Sequence, residues 1–261
     1  MRYGQIYLIF FKQYLKRLME YRVDFLIGMF AFMLNQGAGL LFLYVIFQNI
    51  TNLAGFTIDQ ILLMYGLSLI SKGIDHLFFD NLWLLPRIVR QGTMDRYLLR
   101  PVNPLFTFLI ERFQPDAFGE IILGSALVIT TAIRMELSVT IWNVLAILVF
   151  IGLGIFLFTA LKLITSSTSF WVKNSYPLMQ ITYNISDFTK YPLNIYPKLI
   201  QRLMTFVIPF ALVSYYPGLY VFGRMDFLEV FSYLVIVLSI LMSLGLLVWN
   251  KGLKHYESAG S

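Results

Sequence analysis

The sequence predicts an all-α membrane protein with six transmembrane helices, an amphipathic helix before the first span and a re-entrant helical hairpin before the last span. Three observations support this prediction. Hydrophobic residues make up 58% of the 261 residues and charged residues only 13%, about half the charge of an average soluble domain. Several uncharged runs are long enough to cross ~30 Å of hydrocarbon. Most of the 20 Lys and Arg residues fall between those runs, on the side that the positive-inside rule makes cytosolic.

The same composition excludes several classes of function. A soluble enzyme or a nucleic-acid-binding module needs a polar surface that these residues cannot supply. The absence of Cys excludes disulfides and thiolate metal sites, and His76 and His255 lie too far apart in sequence to suggest a ligand set. The chain also lacks a G-x-x-x-x-G-K-[ST] phosphate loop. We therefore expect no catalytic residue, no metal and no ATP site in this chain, and no nucleic-acid partner.

Residues 1–24 are expected to form an interfacial helix. Leu8, Phe11, Leu15 and Leu18 recur at helical spacing opposite a basic polar face, a pattern typical of a helix that lies in the membrane surface. A signal peptide is the alternative, but its apolar region would begin earlier and would end at a small-residue cleavage site. We therefore expect the segment to be retained on the cytosolic surface.

The first span is predicted over residues 25–47, which carry no charge. Asn35 and Gln36 lie at its middle. Polar side chains at this depth either join neighbouring helices or line a substrate path. Both interpretations stay open from the sequence.

The second span, about 58–85, carries three ionisable residues. Lys72, Asp75 and His76 share one helix face through i,i+3 and i,i+4 spacing, and such residues inside a span suggest a functional site. We predict a Lys72–Asp75 charge pair that faces the protein interior. The alternatives are a purely structural pair, with Lys72 reaching toward the headgroups, and a secondary transporter that uses all three residues.

A basic loop over residues 86–104, called the basic segment below, follows the second span. It is predicted to form two short cytosolic helices. Pro86 suits the start of the first helix and Gly92 its end. Thr93 can cap the second helix, which the prolines near the end of the segment stop. The segment holds four arginines against one acid: Arg87, Arg90, Arg96 and Arg100 against Asp95.

Three more spans are predicted before the hairpin. The third covers about 112–133 and is followed by a tight turn at 134–138. The fourth covers about 139–170 and is interrupted by Lys162. A cytosolic turn at 171–174 leads to the fifth span, 175–188, which is short and polar and is therefore expected to be lined by protein.

Residues 191–224 are predicted to enter the membrane from outside and to return. Pro192 and Pro197 bracket the approach, Pro209 interrupts the apolar run, and Pro217 with Gly218 is expected to break it again. Neither arm could then span the bilayer as a helix. A last span over 227–249 follows, so both termini are predicted to be cytosolic.

Five motifs carry a family resemblance that covers essentially the whole chain. They are GTMDRYLLRPVNPL at 92–105, IYP at 195–197, VIPF at 207–210, YPG at 216–218 and YESAGS at 256–261. With a basic surface helix before six spans, the chain resembles the permease subunits of ABC-2 type exporters of the bacterial cytoplasmic membrane. The resemblance implies a single permease domain over 1–261.

The resemblance also implies partners and roles. A separate ABC ATPase dimer would carry ATP and Mg, and a second permease, a related chain or a self copy, would complete the path. The basic segment would be the coupling helix, and the hairpin would close the path on the outside. The residues implied to contact the ATPase are Arg87, Arg90, Gln91, Gly92, Thr93, Met94, Asp95, Arg96, Leu99 and Arg100, and the candidate path residues are Asn35, Gln36, Lys72, Asp75 and His76.

Two alternatives to a transport role stay open. The basic segment could simply hold anionic lipid headgroups, since membrane lipids are expected partners in either case. The chain could also be a membrane assembly factor or sensor subunit that moves no cargo. Copurification with an ATPase and ATP-dependent cargo movement distinguish these functions.

Overall fold

The computed structural model describes residues 3–20, 22–138, 140–172 and 174–257. Within these ranges the regular structure consists of helices joined by short turns. The α-helices are α1 (Tyr3–Glu20), α2 (Arg22–Phe47), α3 (Ile58–Phe79), α4 (Leu85–Arg90), α5 (Asp95–Leu98), α6 (Pro104–Ile110), α7 (Phe118–Arg134), α8 (Ile141–Ser167), α9 (Tyr176–Asn184), α10 (Lys198–Arg202), α11 (Ala211–Val221) and α12 (Phe227–His255).

Some predicted features lie outside the described residues. They are Val139 at the start of the fourth span, Lys173 in the following turn, residues 258–261 of the last motif, and the side chains of Leu15 and Leu18 on the first helix.

Five helical stretches in the described ranges are long and apolar enough to cross a membrane. They coincide with the predicted first, second, third, fourth and last spans, and the predicted all-α membrane fold is confirmed. The stretches are Arg22–Phe47, Ile58–Arg90, Pro115–Arg134, Ile141–Phe170 and Phe227–His255.

Helix α3 lies at the centre and packs against α7, α8 and α11. Its closest approach is to α7, where Gly66 faces Gly124. A Cβ built on Gly66 would lie 2.9 Å from the Gly124 carbonyl oxygen, and one built on Gly124 would lie 2.8 Å from the Gly66 carbonyl oxygen. Small residues allow this contact in the bilayer, where close packing stabilises helix pairs. The absence of side chains at Gly66 and Gly124 therefore permits the close packing of α3 and α7.

Helix α1 rests through aromatic rings on the turn that precedes the third span. Tyr7, Phe11 and Tyr14 pack around Phe113 with ring centroids 5.2–5.9 Å apart. Leu8, predicted for the same apolar face, is 54% exposed. The side of α1 that contacts the protein is thus the aromatic side, and Leu8 is free to meet lipid.

The basic segment forms two short helices, α4 and α5, but their cap and the following span differ from the prediction. The Thr93 cap is wrong: α5 has no side-chain cap, and Thr93 Oγ1 donates to the Ile88 carbonyl at 3.3 Å. A further helix, α6, begins at Pro104, where the Asn103 side chain accepts from the Phe106 amide. The third span therefore begins near Pro115 instead of Arg112.

Residues 175–194 run along α3 from one end to the other. Ser175 donates to the Ser166 carbonyl near the end of α8, Thr189 contacts Ser68 at 3.2 Å, and Asn194 donates to the Ala54 carbonyl before α3 begins. The helical part, α9, ends at Asn184 and continues as a 3₁₀ turn, Ile185–Lys190. No single helix covers the described residues 175–188, and this stretch is not among the helices long enough to cross a membrane. The fifth span therefore stays a prediction, and the name is kept below for residues 175–194.

The predicted hairpin contains two arms bent by 101° between Val207 and Ala211. Pro209 lies in the break. The predicted second break at Pro217 is wrong, because α11 continues through it to Val221. Close packing explains this continuity: a Cβ on Gly218 would lie 2.3 Å from Met64 Cγ of α3. Helix α11 is followed by a turn at Gly223, whose φ of +67° favours glycine.

The crossing order is testable because the chain has no Cys. We expect single cysteines at Asn194, Ile200 and Arg224 to react with an impermeant maleimide from outside, and cysteines at Asn174 and Glu257 only after the membrane is opened. These positions flank the predicted fifth span, the hairpin and α12. Labelling at Glu257 from outside would mean that the hairpin crosses the membrane. Labelling of Asn174 and Asn194 from the same side would mean that the predicted fifth span does not cross.

Candidate functional site

The inner side of the basic segment is a buried apolar contact. Ile88, Met94 and Tyr97 pack in one cluster with Phe108 of α6 and Trp249 of α12, and Met94 and Tyr97 have no exposed surface. Full burial of such side chains contributes about 1.5–3 kcal/mol each. Met94 was implied to contact the ATPase; it instead anchors the segment to the membrane helices.

The outer side of the basic segment is uncovered. Leu99 is 85% exposed and Leu98 is 41% exposed, at the tip formed after α5. Gly92 has a φ of +68° and provides the reversal between α4 and α5. The other residues implied to contact the ATPase form two sets. Gly92 and Asp95 are half-buried. The exposed residues are Arg87, Arg90, Gln91, Thr93, Arg96, Leu99 and Arg100.

A polar cluster connects α5, which leads to the tip, with Glu111 at the end of α6. The Tyr97 hydroxyl donates to Glu111 Oε2 and accepts from Arg96 Nη2. Burial first, and the Glu111 carboxylate second, raise the pKa of Tyr97 to about 12. The hydroxyl therefore keeps its proton, and remains a donor, throughout the physiological range. Arg96, 3.6 Å from Glu111, is consequently engaged within the chain and is not a free surface charge.

A buried ion pair joins α3 to α8. The Lys162 ammonium lies 2.7 Å from Asp75 Oδ2, with 3% and 0% of the two side chains exposed. Thr159 Oγ1 donates to the other carboxylate oxygen at 2.7 Å, and Lys162 also donates to the Phe79 carbonyl at 3.3 Å. Opposite charges paired in this way can remain ionised in a low dielectric.

A second buried network joins four segments through His76. Its Nδ1 lies 2.8 Å from Glu120 Oε2 of α7, and its Nε2 is hydrogen-bonded to the Tyr183 hydroxyl of α9. Gln36 of α2 donates to Glu120 Oε1 at 3.2 Å and accepts from the Tyr65 hydroxyl. The five side chains therefore form one continuous hydrogen-bonded chain across the helix bundle.

Lys72 belongs to neither network, and the predicted Lys72–Asp75 pair is wrong. Its ammonium lies 3.9 Å from Asp187 Oδ1 and 4.7 Å from the centre of the Tyr183 ring. Asp187 also pairs with Lys190 at 3.6 Å. Asp75 pairs with Lys162 instead, because α8 places the Lys162 ammonium 2.7 Å from the Asp75 carboxylate.

The residues predicted to line the path therefore lie in different surroundings. Gln36, Asp75 and His76 lie in buried networks and Lys72 lies at their edge, whereas Asn35 is exposed on α2. The sequence did not identify Glu120, Tyr183 and Asp187 as their partners. The signal for Glu120 was available, since an acid near the start of a span needs a partner, but nothing in the sequence says which helix supplies it.

The Asp75–Lys162 pair can be tested by a double-mutant cycle. Lys162→Met leaves Asp75 buried and unpaired, and we expect it to cost about 3–5 kcal/mol of stability, most of which Lys162→Met/Asp75→Leu restores. Denaturant unfolding in detergent micelles measures both.

Lys72→Met is the matched control for this cycle. It removes the same charge, but its partner Asp187 is 53% exposed, so the loss should be at most about 1 kcal/mol. Equal costs for the single and double variants at 162 and 75 would contradict the pair.

Comparison with known proteins supplies the family. The model of the ABC-2 family transporter proteins matches residues 33–260, from the middle of α2 to beyond the end of α12. No curated protein matches the chain, and no solved structure does. The matched range includes the basic segment, both buried networks and the hairpin. The chain is therefore an integral membrane protein that belongs to the ABC-2 transporter family, as the membrane subunit of an ABC transporter that works with an ABC ATPase.

Proposed function

We propose that this chain is the permease subunit of an ATP-driven exporter in the bacterial cytoplasmic membrane, with both termini in the cytosol. The observation that carries the proposal is the two-sided basic segment. Its inner side is anchored by fully buried Met94 and Tyr97, and its tip presents Leu99 and Arg100 to the cytosol. A motor subunit can move such a segment without deforming it.

The tip would contact the ATPase through a small mixed surface. Leu98 and Leu99 provide exposed apolar side chains, and Arg100 lies 5.7 Å from the Tyr97 ring, which keeps the guanidinium at the same end. Arginine is one of the residue types enriched among binding hot spots, so Arg100 is expected to be the main contact, with the two leucines providing apolar surface around it. Arg96 has a different task, since it stabilises the tip through Glu111.

A second permease, either a related chain or a self copy, would cover the face made by α2 and the fifth span. Asn35 on α2 and Gln180, Asn184 and Asp187 on the fifth span are exposed, and Lys190 lies against Gly39, so the two segments are neighbours. Exposed polar groups at membrane depth are costly in lipid. This supports a protein-lined or water-filled space between two permeases as the path.

The hairpin would close this path on the outer side. Its arm α11 packs on α3 through Gly218 and Met64, and it therefore contacts the helix that carries the charged residues. ATP and Mg would be bound by the ATPase dimer alone. A membrane assembly factor or sensor would share the fold but would move no cargo.

The division of labour predicts where hydrolysis occurs. We expect the purified chain to show no ATP hydrolysis above background, because it has no phosphate-binding loop. Coexpression with its ABC ATPase should give a complex that hydrolyses ATP and transports cargo in vesicles. Hydrolysis by the chain free of contaminating ATPase would contradict this assignment, and a complex that hydrolyses ATP without moving any cargo would favour the sensor function.

The tip contact predicts a specific loss of assembly. We expect Leu99→Asp/Arg100→Glu to reduce copurification of the ATPase by about tenfold or more, since a reversed charge at an interface costs several kcal/mol. Membrane insertion and thermal stability should be unchanged, because Leu99 is 85% exposed.

Val172→Asp provides the control for this test. It places an acid at another exposed apolar position, 55% exposed, beyond the cytosolic end of α8 and outside the basic segment. It should leave copurification intact. Normal assembly and transport by Leu99→Asp/Arg100→Glu would show that the tip is not the docking surface.

A further inference from the structure

A cavity of about 330 Å³ opens between the basic segment and the start of α9. It is called the interfacial cavity here. Its wall includes Trp83, Arg87, Arg90, Asn174 and Tyr176. Trp83 follows the end of α3 and Tyr176 begins α9, so the cavity lies where two segments leave the cytosolic side of the membrane.

One wall of the interfacial cavity is cationic. Arg87 and Arg90 lie three residues apart on α4, and both are exposed. Neither makes an ion pair with a carboxylate in the described parts of the chain. The lining residues that the structure describes include no acid. Two guanidinium groups without a counter-charge therefore face one space.

Another part of the lining is aromatic. The Trp83 and Tyr176 rings meet edge to face with centroids 5.6 Å apart, and Tyr176 is 51% exposed. Trp and Tyr favour the headgroup level of a bilayer, where one end of the side chain is apolar and the other is hydrated. Leu84 and Pro86 add apolar surface. The wall suits the glycerol and upper acyl part of a lipid better than it suits a free anion.

We propose that the interfacial cavity is a binding site for an anionic phospholipid of the cytosolic leaflet, with the phosphate between Arg87 and Arg90 and the glycerol region on Trp83 and Tyr176. Basic pockets between membrane helices on the cytosolic side bind such headgroups, and guanidinium groups bind phosphate through paired hydrogen bonds. The site is separate from the tip at Leu99 and does not depend on the ATPase.

The proposal divides the arginines of the basic segment by task. Arg87 and Arg90 bind lipid and hold α4 at the membrane surface beside α9. Arg96 stabilises the tip through Glu111, and Arg100 remains at the tip. A lipid in the cavity therefore contacts both the basic segment and the fifth span, the two segments that border it.

The test uses the purified full chain without ATPase. Native mass spectrometry of the detergent-solubilised protein, titrated with phosphatidylglycerol or phosphatidylcholine, gives the affinity for each lipid. We expect a preference for phosphatidylglycerol, and Arg87→Gln/Arg90→Gln should weaken its binding by about tenfold or more. Arg87→Lys/Arg90→Lys keeps the charge and should retain most of the preference.

Lys251→Gln/Lys254→Gln removes two positive charges from exposed positions outside the cavity. It is the matched control and should change the affinity by less than about twofold. An equal loss in this control would reduce the effect to general surface attraction and overturn the site.

A third arm separates lipid from free phosphate. Inorganic phosphate at millimolar concentration should not displace phosphatidylglycerol, because it makes no contact with the aromatic wall. Displacement at that concentration would identify an anion site without lipid specificity, and equal affinity for phosphatidylcholine would exclude the role of the arginines. Either result overturns the proposal while leaving the ATPase contact at Leu99 untouched.

Discussion

Every ionisable side chain that α3 carries into the protein interior needs a partner there, and this requirement influences how the neighbouring segments are arranged. An unpaired ion costs several kcal/mol in a low dielectric. Asp75 takes Lys162 from α8, His76 takes Glu120 from α7, and Lys72 takes Asp187 from the fifth span. Three segments that are distant in sequence are thereby held around one helix.

The buried charges are also close to the basic segment. Lys162 donates to the carbonyl of Phe79, the last residue of α3, just before the chain turns toward α4. The next residue of α8, Leu163, belongs to the same apolar cluster as Met94 and Trp249. A displacement of the basic segment would therefore reach the end of α3 through packed side chains, without a flexible loop between them.

The basic segment has three different surfaces, although its composition suggests a single basic one. Its apolar side is anchored in the protein, its tip exposes Leu99 and Arg100, and its α4 side borders a cavity with aromatic residues. This separation follows from the turn at Gly92, whose positive φ lets α5 leave the direction of α4. The arginines on the two helices consequently meet different surroundings.

The sequence by itself determined the membrane class, the five long spans, the helical character of the basic segment and the bend at Pro209, because uncharged length, prolines and glycines act locally along the chain. The tertiary structure alone decided the partners. The spacing of Lys72 and Asp75 suggested a pair on one helix, but Asp75 pairs with Lys162 of α8. Pro217 lies inside α11, which packs on α3 through its neighbour Gly218. Distances between helices depend on packing across the whole bundle, including the close contact of Gly66 with Gly124, and no local pattern records them.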